Sequence, residues 1–160
     1  MNSTVIRLLH IDDDRIQQAL VARSLEKLHD YEFSIQTATS EEEAIQTFLE
    51  GGIDVVILDY HLSKGDGLSC LRRLRQIDPI VPIVAVSGVA TADIATQLIE
   101  EGADDYLCKQ VLNYGQILGQ SVRNALTRAK AFRRRFLSAN KSPSSTAPYA
   151  QTSPTSSYDI

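Results

Sequence analysis

The sequence has few of the features that mark membrane, secreted or disulfide-linked proteins. Its two cysteines, Cys70 and Cys108, form no CxxC pair or other metal-binding spacing. No apolar run approaches the roughly 18 to 20 residues that span a bilayer. The first residues lead directly into a strand pattern, without the basic and apolar regions of a signal peptide. We therefore expect a cytoplasmic protein whose cysteines are small buried hydrophobic residues.

Acidic residues are nearly absent from the last third of the chain. Residues 1–105 contain 19 acidic and 8 basic residues, a net charge of -11, whereas residues 106–160 contain 8 basic residues and only Asp159, a net charge of +7. The acidic part suits a divalent cation. The run Arg133-Arg134-Arg135 could meet nucleic acid, an anionic membrane or an acidic partner. The simpler alternative is a solvated basic helix end, favoured by the helix dipole.

Short apolar runs typical of buried strands alternate with segments of helical spacing. The predicted strands cover residues 5–11, 33–37, 54–58, 82–86 and 105–108. Ser40 and Glu43 form a capping box that begins the second helix. Because crossover connections are right-handed and the loops are short, this alternation predicts one α/β domain with a parallel sheet covered by helices on both faces.

Chemically active residues follow four of these strands, at the point where each strand ends. They are Asp12-Asp13-Asp14, Asp59, Ser87 and Lys109. Ligands of such sheets bind at the carboxyl ends of the strands, so these groups are expected to meet. Acids for a metal ion, a separate carboxylate, a hydroxyl and an ammonium together indicate a site that handles a phosphoryl group.

The three consecutive acids divide between two roles. The first strand ends at Ile11, which favours Asp12 and Asp13 as metal ligands. Asp14 then precedes the helix that begins at Arg15 and is predicted to be its N-cap. Asp14 as a metal ligand is the alternative.

Residues 5 to about 126 resemble the response-regulator receiver domain of two-component signalling. The motifs that carry this resemblance are Ile11-Asp12-Asp13, residues 55–62 (VVILDYHL) with Asp66-Gly67-Leu68, residues 84–88 (VAVSG) and residues 102–109 (GADDYLCK). The resemblance implies a flavodoxin-like doubly wound fold. Its five-stranded parallel sheet would have the order 2-1-3-4-5, with five helices and an extended last helix.

The same resemblance implies a role for each site residue. Asp59 would be the phospho-acceptor, and Ser87 and Lys109 would contact the phosphoryl oxygens. The Mg²⁺ ligands would be Asp12, Asp13, Asp59 and the backbone carbonyl of His61. The phosphoryl donor would be a sensor histidine kinase or a phosphotransfer protein. Ser87 and Tyr106 would form the switch that changes the face of helix 4, strand 5 and helix 5, which signals to an unidentified downstream protein.

One departure from the family pattern follows the lysine. Receiver domains usually carry proline there, often after a cis bond, whereas this chain has Gln110. A cis bond before a residue other than proline costs about 2.5 to 4 kcal/mol. The Lys109–Gln110 bond is therefore predicted to be trans.

The last helix is predicted to extend past the receiver domain. We assign residues 1–126 to the receiver domain, 127–137 to a basic extension of the last helix and 138–160 to a disordered Ser/Thr/Pro tail. Apolar positions along this helix follow a coiled-coil seam, which allows a homodimer: Leu118, Val122, Ala125, Ala129, Phe132 and Phe136. The alternative is a first half that packs on the sheet and a frayed basic end.

Three functions are compatible with these residues. The first is a phospho-accepting response regulator that catalyses only its own phosphorylation and dephosphorylation. The second is a receiver-like interaction module that works without phosphorylation. The third is a phosphatase of the haloacid dehalogenase type, which needs a D-x-D motif followed by Thr or Val, whereas Arg15 and Ile16 follow the acids here. A nucleic-acid partner is not expected.

Overall fold

The computed structural model describes residues 3–89 and 91–140. It contains one five-stranded parallel sheet with the order β2-β1-β3-β4-β5. The strands are β1 (Thr4–Ile11), β2 (Tyr31–Ala38), β3 (Val55–Asp59), β4 (Ile83–Ser87) and β5 (Asp105–Cys108). The helices are α1 (Arg15–Leu25), α2 (Glu41–Leu49), α3 (Gly67–Ile77), α4 (Ala92–Glu100) and α5 (Tyr114–Asn140). The predicted flavodoxin-like topology is confirmed.

The central strands are buried on both faces because helices cover both sides of the sheet. Every residue of β3 and of β4 is buried, which explains why their sequences are continuously apolar up to Asp59 and Ser87. One core contains side chains from α2, α3 and α4, and the other contains side chains from α1 and α5. The chain divides into two compact units after Ala129. The sheet and both cores belong to the first unit.

Side chains next to the start of α1 and α2 cap these helices, as the sequence predicts. The Asp14 carboxylate accepts a hydrogen bond from the Ile16 amide at 2.8 Å, which confirms the predicted N-cap of α1. Ser40 Oγ accepts from the Glu43 amide at 3.2 Å. The Glu43 carboxylate bonds back to the Thr39 amide at 3.2 Å instead of to the Ser40 amide. Both helix starts are therefore fixed by residues within one turn.

Several predicted boundaries and burials differ from the structure. Strand β2 extends over Tyr31–Ala38, beyond the predicted 33–37. Helix α5 continues through Asn140, past the predicted start of the tail at Ser138, because residues 138–140 include neither glycine nor proline to break the helix. Residues 141–160 lie outside the described residues. Cys70 is buried as expected, whereas Cys108 is only partly buried at the end of the short β5.

Candidate functional site

Three carboxylates meet at the carboxyl end of the sheet. Ile11 of β1 pairs with Leu58 of β3, so the residues that follow them, Asp12 and Asp59, are brought side by side. Oxygens of Asp12, Asp13 and Asp59 lie within 4.8 Å of one another. Asp12 and Asp59 are 0% and 5% exposed. Buried carboxylates at this spacing repel one another unless a cation lies between them.

Lys109 brings the cation of its side chain to this cluster. Its Nζ donates to Asp12 Oδ2 at 2.9 Å and to Asp59 Oδ2 at 3.0 Å. Burial alone would lower the pKa of Lys109, but the hydrogen bonds to both carboxylates outweigh it and raise that pKa. Burial raises the pKa of Asp59, against the opposing effect of Lys109. The Lys109–Gln110 peptide bond is trans, as predicted.

Asp13 is held by the loop after β3. Its Oδ2 accepts a hydrogen bond from the Ser63 amide at 2.9 Å. Hydrogen bonding from Ser63 lowers the pKa of Asp13 below its ordinary value. Asp13 is therefore an anion at neutral pH. The Asp14 carboxylate caps α1 and is not among the carboxylates that meet in the cluster, so the alternative of Asp14 as a metal ligand is not supported.

The cluster has the donor chemistry that Mg²⁺ requires. Mg²⁺ binds oxygen ligands, commonly from one or two carboxylates together with water and phosphate oxygens. Asp12, Asp13 and Asp59 supply such oxygens within one site. The backbone amide of His61 donates to Asp59 Oδ1 at 3.2 Å. The role of the His61 carbonyl as a further ligand stays a prediction.

The two residues of the predicted switch share one hydrogen-bond acceptor. Ser87 Oγ donates to the backbone carbonyl of Val89 at 3.1 Å and accepts from the Val89 amide at 3.0 Å. The Tyr106 hydroxyl donates to the same carbonyl at 2.9 Å. Ser87 is fully buried at the end of β4, whereas Tyr106 is half-buried. Movement of the Val89 carbonyl therefore affects both side chains.

Sequence reasoning missed Glu41, which anchors the loop between β3 and α3. Its carboxylate accepts from the Ser69 hydroxyl at 2.7 Å, the Asp66 amide at 3.1 Å and the Arg73 guanidinium at 3.2 Å. Burial opposes ionisation, but these hydrogen bonds lower the pKa of Glu41. As the first of three successive glutamates, Glu41 looks in the sequence like an exposed helix-start residue. Only the position of the loop reveals its role.

Sequence reasoning also missed His10, which lies beside Asp12 in the core. It is 1% exposed, its Nε2 is 3.7 Å from Asp12 Oδ2, and neither ring nitrogen has a hydrogen-bond partner among the described residues. Burial lowers the pKa of His10 to about 4, so its imidazole is neutral at pH 7. The sequence signal was a histidine within the apolar run of residues 8–11.

We expect His10 to make the protein less stable in acid. The unfolded chain binds a proton near the ordinary pKa of about 6.5, whereas the folded protein binds it only near about 4. The free energy of unfolding is thus highest above the pKa of about 6.5 of the unfolded chain. It falls as the pH decreases towards the pKa of about 4 of the folded protein. Between about pH 7.5 and pH 5, this loss corresponds to about 2 kcal/mol of unfolding free energy.

Urea unfolding in the presence of a chelator measures this effect. The His10→Leu variant should show about 2 kcal/mol less change between the two pH values than the unsubstituted chain. His29 is exposed, so His29→Gln is the matched control and should leave the pH dependence unchanged. Equal pH dependence of His10→Leu and the unsubstituted chain would contradict the assignment.

No helix among the described residues is long and apolar enough to cross a membrane.

The chain belongs to the response regulator receiver domain family, whose model matches residues 8–118. A protein-glutamate methylesterase/protein-glutamine glutaminase of Rhodospirillum centenum is 36% identical over 110 residues, which are 67% of this chain and 27% of the relative. The transcriptional regulatory protein PrrA of Mycobacterium tuberculosis is 35% identical over 103 residues, which are 64% of this chain and 43% of the relative. The chain thus spans less than half the length of either relative.

Solved structures agree with this assignment. A response regulator receiver domain protein from Clostridium thermocellum is 31% identical, with a TM-score of 0.70, and the match covers 79% of this chain and 98% of that one. A response regulator protein from Burkholderia pseudomallei, solved with a phosphorylated aspartic acid, a calcium ion and citrate, is 26% identical, with a TM-score of 0.63. That match covers 84% of this chain and 75% of the other. The chain is a receiver domain of two-component systems by family and by fold.

Proposed function

We propose that this chain is a response regulator that accepts a phosphoryl group on Asp59 from a histidine kinase or phosphotransfer protein. The main support is the position of Lys109 Nζ, which lies within hydrogen-bond distance of both Asp12 and Asp59. This places a fixed positive charge where a phosphoryl group on Asp59 would be negative. The phosphorylated aspartic acid and calcium ion of the Burkholderia pseudomallei relative are further support.

The transfer exchanges one bond to phosphorus for another. A carboxylate oxygen of Asp59 forms a bond to phosphorus while the bond from phosphorus to the donor nitrogen breaks, and that nitrogen keeps the electron pair. Lys109 stabilises the negative charge on the transferring group. Ser87 donates a hydrogen bond to a phosphoryl oxygen once the acyl phosphate has formed. The chain catalyses only its own phosphorylation and dephosphorylation.

The metal in this proposal is Mg²⁺, held by Asp12, Asp13, Asp59 and the backbone carbonyl of His61. When bound, it reduces the repulsion between the anionic donor and the carboxylate cluster. The Ser63 amide orients Asp13 for this role, because it fixes one of the two Asp13 oxygens. Asp12 is fully buried and shares its Oδ2 with Lys109. Metal and lysine therefore act on the same carboxylates.

The output would proceed through the shared carbonyl of Val89. A phosphoryl group on Asp59 gives Ser87 Oγ a stronger, anionic acceptor than the neutral carbonyl it now bonds. When Ser87 turns towards the phosphoryl group, it draws the Val89 loop with it and vacates space into which Tyr106 rotates, so the Tyr106 hydroxyl leaves the Val89 carbonyl. This repacks the face formed by α4, β5 and α5, which would contact the downstream protein.

Intact-mass measurement after incubation with a small acyl phosphate and Mg²⁺ tests the proposal. The expected result is a gain of one phosphoryl group, abolished by a chelator and mapped by peptide analysis to the segment that contains Asp59. No gain at any donor concentration would contradict the proposal and favour a phosphorylation-independent interaction module. Continuous hydrolysis of a generic phosphate ester would contradict it in favour of a phosphatase.

A further inference from the structure

The carboxyl-terminal part of α5 exposes two phenylalanines to solvent. Phe132 and Phe136 are 51% and 53% exposed, although side chains of this size and polarity are usually buried. Their rings are nearly parallel, with centroids 6.4 Å apart and an interplanar angle of 10°. Residues four apart lie on the same side of a helix, so the two rings form one continuous apolar stripe.

Basic side chains border this stripe on both sides. With about 3.6 residues per turn, Arg133 lies on one side of the two phenylalanines and Arg135 on the other. Lys130 and Arg134 lie farther round the helix. The whole of α5 contains no acidic residue, and no ion pair within the described residues involves the three consecutive arginines. We name residues 130–136 the basic-aromatic segment.

These charges disfavour a second copy of the chain as the partner of this segment. A symmetric helix pair along the stripe would place arginines against arginines, and α5 has no acid to offset them. Leu118, Val122 and Ala125, which would continue the seam, are already buried in the core of the first unit. Two half-exposed phenylalanines alone cannot supply the roughly 1,000 Å² of buried surface that a specific protein interface requires.

An anionic lipid surface can bind both the phenylalanines and the arginines of the segment. Phenylalanine rings enter the boundary between headgroups and acyl chains, while flanking arginines extend to the phosphates. We propose that the basic-aromatic segment binds the surface of a membrane rich in anionic lipid. Because the segment is short and its binding is partly electrostatic, the association is reversible and weakens as salt increases.

Sedimentation of the full chain with vesicles tests this proposal. We expect binding to vesicles of phosphatidylcholine mixed with phosphatidylglycerol, and little binding to phosphatidylcholine alone. Each arginine near an anionic surface strengthens binding about fivefold, so the Arg133→Gln/Arg135→Gln variant should bind about 25-fold more weakly. The Phe132→Ser/Phe136→Ser variant should lose about tenfold or more, because its rings no longer leave water.

Matched variants separate this segment from general charge and apolar exposure. Arg15 and Arg23 are exposed on α1, so Arg15→Gln/Arg23→Gln removes the same charge and should leave vesicle binding unchanged. Ile16 and Leu112 are 75% and 89% exposed. The Ile16→Ser/Leu112→Ser variant therefore removes exposed apolar side chains elsewhere and should also leave vesicle binding unchanged. Circular dichroism verifies that each variant keeps its helical content.

A second copy of the chain and a nucleic-acid duplex, as alternative partners of the segment, would give different results in these experiments. Equal binding to both kinds of vesicle, or binding to neither, overturns the proposal. A concentration-dependent dimer in analytical ultracentrifugation that is lost in Phe132→Ser/Phe136→Ser, without vesicle binding, assigns the stripe to a second copy instead. Binding to a nucleic-acid duplex without vesicle binding overturns the lipid assignment in the same way. None of these results depends on whether Asp59 is phosphorylated.

Discussion

Asp59→Asn is expected to gain no phosphoryl group under conditions in which the unsubstituted chain gains one. An amide lacks the anionic oxygen that attacks phosphorus, so the yield should decrease by at least about 100-fold. The contact between Lys109 and Asp12 is kept in the variant. Asn also has the shape of Asp and one oxygen that can accept the hydrogen bond from Lys109. The loss would therefore report the missing nucleophile. Intact mass after incubation with a small acyl phosphate and Mg²⁺ measures it.

The folding control for this variant follows from the electrostatics of Asp59. Burial raises the pKa of Asp59, so in the absence of metal its charged form destabilises the folded state as the pH rises through that pKa. Removal of the charge should leave the midpoint of thermal unfolding at pH 7 equal or higher. A large decrease in that midpoint would mean that the loss of phosphorylation has a structural cause.

Asp14→Asn is the matched substitution at the same edge of the sheet. Asp14 caps α1 through its Oδ1, and asparagine is an equally good N-cap. This variant should be phosphorylated like the unsubstituted chain. Phosphorylation of Asp59→Asn would contradict the assignment of Asp59 as the acceptor, whereas its loss in Asp14→Asn would restore the alternative of Asp14 as a metal ligand.

Lys109→Met is expected to slow phosphorylation by about 100-fold to 1,000-fold, the usual effect of removing one fixed group that stabilises charge in a transition state. Methionine keeps much of the length of the side chain but removes the ammonium that contacts Asp12 and Asp59. The rate of mass gain at saturating Mg²⁺ measures the effect. An unchanged rate would show that Lys109 has no part in the transfer.

The same variant should be less stable when metal is absent. Without Lys109, the buried carboxylates of Asp12 and Asp59 lose their cation, and removal of one partner from a buried ion pair costs about 3 kcal/mol. Mg²⁺ offers the same carboxylates a replacement charge, so the deficit should be smaller at saturating Mg²⁺ than in a chelator. Urea unfolding under both conditions measures the difference.

Lys64→Met is the matched control for Lys109→Met. Lys64 is exposed in the loop after β3, so its substitution removes the same charge near the site without removing a contact to Asp12 or Asp59. Its phosphorylation rate and its stability should remain close to those of the unsubstituted chain. Equal effects of the two substitutions would mean that net charge, and not the position of Lys109, matters.

The fold was predictable because most of its signals are local. A short apolar run rich in β-branched residues, such as residues 82–86, is typical of a strand covered on both faces, and Asp14 or Ser40 caps the helix that begins with the next residue. The boundaries that were predicted wrongly also depend on local preferences, which differ little between neighbouring residues at the end of an element. Residues 138–140 of α5 are serine, alanine and asparagine, and such a composition does not settle whether a helix continues.

Parts of the site were not predictable because their contacts join distant residues. Lys109 meets carboxylates that are 50 and 97 residues away in the sequence, and Glu41 anchors a loop more than 20 residues beyond it. The depth at which His10 lies is set by helices that pack over β1. A residue type and a strand end indicate that such groups share an edge, but not which of them touch.

The sequence by itself determined the order of strands and helices and the chemical kinds of group at the strand ends, because backbone preferences and apolar patterning act over a few residues. Only the tertiary structure decided which oxygens Lys109 contacts, which residue holds the β3–α3 loop and that one carbonyl serves both Ser87 and Tyr106. Those contacts depend on distances between separate elements, which are fixed when both faces of the sheet pack against their helices.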